Sequence, residues 1–351
     1  MALFQIENSR ISGIAACLPK NELNNRNYEW ILPEERELLI KTTGIEKRRV
    51  AEKGVTTSDL CFVAAEKLIS ELSWNKDEID ILIFVSQSRD YPIPCTAVIL
   101  QDRLGLSKKT LAFDVPLGCS GYIYGMAILG SMLSSGIMKK GILMTGDIST
   151  INCSYKDKST YPLFGDAGTA TAIEFSEKSN TQYYNLCSDG SGWNAITVLD
   201  GGIRNYVTKS SLDEKEIAPG VNRSNIQLQL NGIDVFNFSL REVAPNINEL
   251  LSYSNKPIEE IDFFLFHQAN LLINESIRKK LRIPKEKVPY TINKFGNTSS
   301  ASIPLTMISE IGNELKNKEL ELLLCGFGVG LSWGSLYFRT DKIICPQLIE
   351  V

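Results

Sequence analysis

The sequence predicts an α/β fold built from two similar halves, and two observations carry the prediction. Short apolar runs alternate with longer amphipathic stretches along all 351 residues, the pattern of mixed strands and helices. An internal repeat then divides the chain. Asn75-Lys76-Asp77-Glu78-Ile79-Asp80-Ile81-Leu82-Ile83-Phe84 is echoed about 180 residues later by Pro257-Ile258-Glu259-Glu260-Ile261-Asp262-Phe263-Phe264-Leu265-Phe266. Each is an acidic turn, then Ile-Asp, then an apolar strand. The same offset relates Gly118-Cys119-Ser120-Gly121 to Gly296-Asn297-Thr298-Ser299, and Ile142-Leu143-Met144-Thr145-Gly146 to Leu322-Leu323-Leu324-Cys325-Gly326.

In chain order, apolar runs predict strands over 79–87, 110–115, 141–145 and 168–175 in the first half. Those over 261–266, 320–325 and 332–338 belong to the second. Helical periodicity predicts helices over 58–72, 94–104 and 120–135, then over 232–252, 271–281 and 301–315. The polar stretch 177–182 is the best boundary, which sets the halves at 1–180 and 181–351. No low-complexity linker separates them.

Composition excludes several function classes. Lys and Arg number 37 against 41 Asp and Glu, and that slightly acidic balance argues against nucleic-acid binding. The N-terminus lacks a basic region followed by an apolar run, so a cytoplasmic protein is expected. The most apolar stretch, 121–138, is broken by Gly130, Ser131, Ser134, Ser135 and Gly136, short of the roughly 18 apolar residues of a membrane span. The eight cysteines are scattered with no C-x-x-C pair, and zinc ligation is not expected. The chain has one histidine, so imidazole chemistry falls to His267.

The repeat converts distant residues into one constellation. A pseudo-two-fold would bring Cys119 and Asn297 face to face, with His267 beside them at the end of a repeated strand. Cys119 opens a helix after an apolar run, where the dipole and free N–H groups should lower its pKa. As separate residues, Cys119 reads as core, His267 as a satisfied strand-end histidine and Asn297 as a helix N-cap. Their shared register favours catalysis. Gly326-Phe327-Gly328-Val329-Gly330 lacks the spacing and the following helix of a dinucleotide loop, and suits a backbone N–H that serves an oxyanion.

With these segments assembled, the chain resembles the β-ketoacyl-[acyl carrier protein] synthase III family. The matching residues are Thr43-Gly44-Ile45-Glu46-Lys47-Arg48, the Asp114–Gly121 segment, Leu163-Phe164-Gly165-Asp166, His267-Gln268-Ala269-Asn270, Gly296-Asn297-Thr298-Ser299 and the Phe327–Gly334 segment. The resemblance implies a thiolase-like fold, a five-layered α-β-α-β-α sandwich of two duplicated halves, and a homodimer. It implies that Cys119 takes an acyl group from a thioester, with the N–H groups of Cys119 and Val329 as oxyanion hole. His267 and Asn297 would stabilise the enolate formed when malonyl-acyl carrier protein loses carbon dioxide. No metal or cofactor is implied beyond coenzyme A and carrier-protein thioesters. Gln268, Lys279 and Lys280 match carrier-docking positions, and Lys158, Gly232 and Asn270 match coenzyme A or pantetheine contacts.

Departures from the family pattern lie at the coenzyme A mouth. Leu38 stands where a Trp usually stacks on adenine, and Thr42 and Leu272 stand at usual Arg positions. These point to a non-standard primer, delivered as an acyl-coenzyme A or an acyl-carrier thioester. The alternative within the fold is an acyltransferase passing the Cys119-bound group to an oxygen or nitrogen acceptor. A papain-like hydrolase shares the Cys, His, Asn chain order but not the local signature around Cys119.

Overall fold

The computed structural model describes residues 2–351. The first half comprises β1 (Ala2–Ile6), β2 (Ser9–Leu18), α1 (Pro33–Thr43), α2 (Thr57–Glu71), β3 (Ile81–Val85), α3 (Thr96–Arg103), β4 (Leu111–Val115), α4 (Gly121–Leu133), β5 (Lys140–Asp147) and β6 (Ala167–Phe175). There follow β7 (Gln182–Ser188), α5 (Gly232–Tyr253), β8 (Phe263–Phe266), α6 (Leu271–Lys280), α7 (Ile292–Phe295), α8 (Ser302–Asn317), β9 (Glu321–Gly328), β10 (Ser332–Arg339) and β11 (Ile349–Glu350).

Two large sheets form, ordered β11-β2-β6-β5-β3-β4 and β1-β7-β10-β9-β8, with three two-stranded ribbons beside them. Strands β3, β4 and β5 run parallel, as do β8 and β9. The interior strands β3 and β9 are buried on both faces, because each sheet is covered on both sides. Ile81, Ile83 and Val85 join Tyr122, Met126 and Leu129 of α4 and Ile303, Met307 and Ile311 of α8 in one core, which also takes Leu322 and Leu324 from the second sheet. The alternate residues Leu82 and Phe84 pack outward on Leu60, Ala64 and Leu68 of α2. In the second sheet Phe264, Phe266 and Leu323 face Val243 and Ile247 of α5 and Ile273 of α6. The layers are therefore α2/α3, sheet, α4/α8, sheet, α5/α6. This is the thiolase-like five-layered sandwich that the resemblance implied.

The expected helices and strands are present with ends shifted by a few residues. Capping sets some starts: Thr56 and Asp59 form a reciprocal capping box at α2, and Asn270 accepts from the Ile273 N–H at α6. Six elements lay outside the expectation, among them the short α7 and β11. Strand β2 is Ala- and Gly-rich and almost wholly buried, without alternation, and β1, β7 and α1 were equally silent. The halves also differ, since the short helix α7 precedes Gly296 where strand β4 leads to Cys119. The termini cross over: β1 pairs with β7 in the second sheet, and β11 pairs with β2 in the first.

Candidate active site

The carboxyl ends of the parallel strands converge on one cavity of about 390 Å³, the usual position for a site in an α/β sheet. From the first half, β3 leads to Gln87 and Ser88, β4 to Cys119, and β5 ends at Asp147. From the second, β8 leads to His267 and β9 to Phe327, Gly328 and Val329. Asn297 reaches the same cavity from the loop after α7.

Cys119 is 8% exposed. Its own backbone N–H and that of Val329 both donate to its sulfur, and the Ser299 hydroxyl lies 3.9 Å from it. Gly328 is needed here, since a Cβ would stand 2.7 Å from the Cys119 Cβ and 3.0 Å from Sγ. Ser120, just before α4, is tied to Ser332 of β10 by a 2.7 Å hydroxyl contact, which pins the nucleophile turn to the second half.

The thiol is not acidified as its place before a helix led one to expect. Burial, and then the negative charge of Asp147, push it up to about 12, against the Ser299 hydroxyl and the two backbone N–H groups. Asp147 is itself fully buried. Its Oδ1 accepts from the Gln87 N–H at 2.7 Å, Ser86 Oγ at 3.0 Å and the Ser88 N–H and Oγ at 3.2 Å, while burial raises its pKa.

His267 is 1% exposed, and burial pushes its ring down to about 3. It is a neutral imidazole at any ordinary pH. Nδ1 meets Ser302 Oγ at 2.7 Å, the ring stands edge-on to Phe327 with centroids 5.5 Å apart, and the backbone N–H donates to the Cys325 carbonyl. The Asn297 loop is fastened by its neighbours. Its N–H donates to the Leu163 carbonyl, its own carbonyl accepts from Gly165, and Oδ1 accepts from the Ser299 N–H at 2.9 Å. That leaves the Asn297 amide N–H₂ as a donor for the cavity.

Of the other expected positions, Gly232, Asn270 and Val329 line the cavity. Lys158 does not. It lines a separate cleft of about 490 Å³ with Trp30 and Arg36, and its ammonium is paired with Glu35 at 2.9 Å. The expected docking role of Gln268 is corrected. It is 1% exposed, its amide donates to the Phe266 carbonyl, and its Oε1 accepts from the Thr291 N–H, so no surface partner reaches it. Lys279 and Lys280 are exposed.

Sequence reading missed Asp147, Ser299, Ser302, Trp30 and the fully buried Arg48. Arg48 donates to the Phe164 carbonyl at 2.9 Å, and Phe164 is bridged to Asn297. A signal for Asp147 existed, since it follows a repeated strand and stands in register with Phe327. Trp30 was hidden because α1 intervenes before Gly44.

Comparison with known proteins matches residues 113–190 to the family described as 3-oxoacyl-[acyl-carrier-protein (ACP)] synthase III, and residues 251–340 to its C-terminal part. A β-ketoacyl-[acyl-carrier-protein] synthase III of Staphylococcus saprophyticus is 34% identical over 337 residues, 95% of this chain and 99% of the relative. One from Halalkalibacterium halodurans is 33% identical over 334 residues, 95% and 98% of the two chains. The crystal structure of a 3-oxoacyl-(acyl-carrier protein) synthase from Burkholderia xenovorans superposes with a TM-score of 0.94 at 36% identity, covering 99% of each chain. With Cys119 inside the first matched segment and His267, Asn297 and Val329 inside the second, the chain belongs to the 3-oxoacyl-[acyl-carrier-protein] synthase III family.

Proposed function

We propose that this protein joins an acyl group, held as a thioester on Cys119, to the carbanion released from malonyl-acyl carrier protein. Residues 1–180 supply the nucleophile, and residues 181–351 supply His267 and Asn297. The observation that carries this reading is the convergence of these side chains on one cavity, with the Cys119 and Val329 N–H groups aimed at the sulfur.

In the first half-reaction Sγ attacks the thioester carbonyl, and the two N–H groups hold the oxyanion. The carrier sulfur departs with the proton that Cys119 gives up. In the second, the malonyl thioester carbonyl accepts from Asn297 Nδ2–H and from the neutral imidazole of His267. Carbon dioxide leaves, and the carbanion attacks the acyl carbon and releases Sγ as a thiolate, which takes up a proton from solvent to restore the thiol. Neutrality matters because a neutral ring donates a hydrogen bond to the enolate without handing over a proton that would quench the carbanion. This chemistry asks for no group beyond the coenzyme A and carrier thioesters.

Delivery of the primer by a carrier protein is supported at the cleft that holds Lys158, a position the resemblance assigns to coenzyme A. Glu35 there neutralises Lys158, leaving less positive charge for nucleotide phosphates. On α6, Arg278 is occupied by Glu275, while Lys279 and Lys280 are exposed as a small basic patch suited to an acidic carrier, the Lys280 ammonium donating to the Leu240 carbonyl at 2.6 Å. A homodimer is part of the proposal, through the edge strand β4 and the exposed Tyr91 and Ile93 beside it.

The test is intact-protein mass spectrometry followed by product analysis. An acyl mass on Cys119 that vanishes in Cys119→Ala, then carbon dioxide and a β-ketoacyl product with malonyl-acyl carrier protein, is the expected result. Transfer to an oxygen or nitrogen acceptor without carbon dioxide would replace condensation with simple acyl transfer. Reversing Lys279 and Lys280 to Glu should slow malonyl-carrier turnover about tenfold and spare acylation by coenzyme A thioesters.

A further inference from the structure

The first-half wall of the Cys119 cavity mixes Leu163 and Phe164 with five polar side chains, Gln87, Ser88, Asp147, Ser149 and Asn152, where a plain acyl chain would ask for hydrocarbon alone. Ser88 and Asp147 are committed to one another and to the backbone around them. The side chains of Gln87, Ser149 and Asn152 are different, since none makes a hydrogen bond to another described residue. Gln87 stands beside the nucleophile turn: a Cβ on Gly118 would lie 2.5 Å from its Oε1. Asn152 marks where the walls meet, its backbone carbonyl accepting from the Leu228 N–H at 2.7 Å. Away from His267, Asn270, Asn297 and Ser299, the second-half wall is mostly apolar, with Ile196, Val198, Leu228 and Leu230 around Thr197.

We propose that the acyl group accepted by Cys119 carries an uncharged hydrogen-bonding function, a hydroxyl or carboxamide, which Gln87, Ser149 and Asn152 read. The inference rests on the condensing reading above; with the carrier arm taken along Gly232 and Asn270, which the resemblance gives to pantetheine and which line the same cavity, the first-half wall is left to the acyl group. An alkyl primer lying against the half-buried Ser149 and Asn152 would strip water from them and offer nothing in return, whereas the exposed Gln87 keeps its water and adds a partner only for a polar primer. A carboxylate is disfavoured by the buried Asp147 on the same wall. The covalent step is the one already written: the Sγ–carbon bond forms, the carrier carbon–sulfur bond breaks, and the Cys119 proton leaves on the departing thiol.

The experiment compares hydroxybutyryl, succinamoyl, butyryl, succinyl and acetyl thioesters, each on coenzyme A and on acyl carrier protein, by the rate at which the acyl mass appears on Cys119. A hydroxyl or carboxamide primer should react at least about tenfold faster than butyryl, with succinyl slower still. The advantage should shrink toward unity in the double variant Ser149→Ala, Asn152→Leu, whose melting temperature checks the fold. Equal or faster butyryl acylation by the unmodified protein overturns the inference alone, as does an unchanged ratio in a folded variant. No acyl mass from any thioester, acetyl included, overturns the condensing reading and this inference with it.

Discussion

His267 and Cys119 are both held uncharged, the first by burial and the second by burial together with Asp147. For His267 the folded pKa lies below the unfolded value of about 6.5, so the native state resists taking up a proton. Stability is unaffected above that value and falls as pH drops from about 6.5 toward 3, on the order of 1.4 kcal/mol per pH unit. Denaturant melts of the wild type and His267→Gln across this range check it, and the variant should lose most of that acid lability. Asp147→Asn keeps an acceptor for the Ser86, Gln87 and Ser88 donors while removing the charge. The Cys119 thiol should then ionise at lower pH, by roughly one unit. The pH profile of iodoacetamide alkylation at Cys119 is the measurement, and an unmoved profile would mean that burial alone sets the thiol.

At the scale of elements, the site is made by strand ends and the turns that follow them. Strand β9 contributes most directly, because Gly328 lets its end lie against Cys119 and brings the Val329 N–H to the sulfur. Gly328→Ala should displace either the thiol or that N–H. A loss of roughly 100-fold in Cys119 acylation is expected, the usual scale for losing one oxyanion donor, with only a small drop in melting temperature. A wild-type acylation rate in this variant would show that the strand end has room the packing does not suggest. The Asn297 loop is fixed differently, through Leu163, Phe164, Gly165 and the buried Arg48, whose guanidinium lies 4.8 Å over Tyr161 and donates to Asn25. The Thr43–Arg48 and Leu163–Asp166 motifs thus share a physical purpose. They position Asn297 without lying next to it in sequence.

On the scale of the whole molecule, the halves are not separable bodies. Helices α4 and α8 share one core with both sheets, and the terminal strands cross over, β11 being reinforced by the Arg49–Glu350 ion pair at 2.7 Å. Residues 1–180 or 181–351 expressed alone would expose one face of the central layer and leave a sheet without an edge strand. Neither fragment should give a cooperative melt, whereas the full chain should unfold in one transition; scanning calorimetry of the three proteins decides the point.

By itself the sequence determined the duplicated α/β plan and the trio Cys119, His267 and Asn297. Those rest on local signals, namely apolar runs, turn residues and a repeat whose register survives in linear order. Strands β1, β2 and β7 stayed hidden because a buried small-residue strand or a short pairing partner has no periodicity of its own. Tertiary structure alone decided the rest. It buried Gln268, set Trp30 and Lys158 on one cleft, raised the thiol that was expected to be acidic and brought Gln87, Ser149 and Asn152 to the cavity of Cys119. Each depends on groups far apart in the chain: desolvation and the field of Asp147 act on Cys119 through space, and neither is written in the residues that flank it.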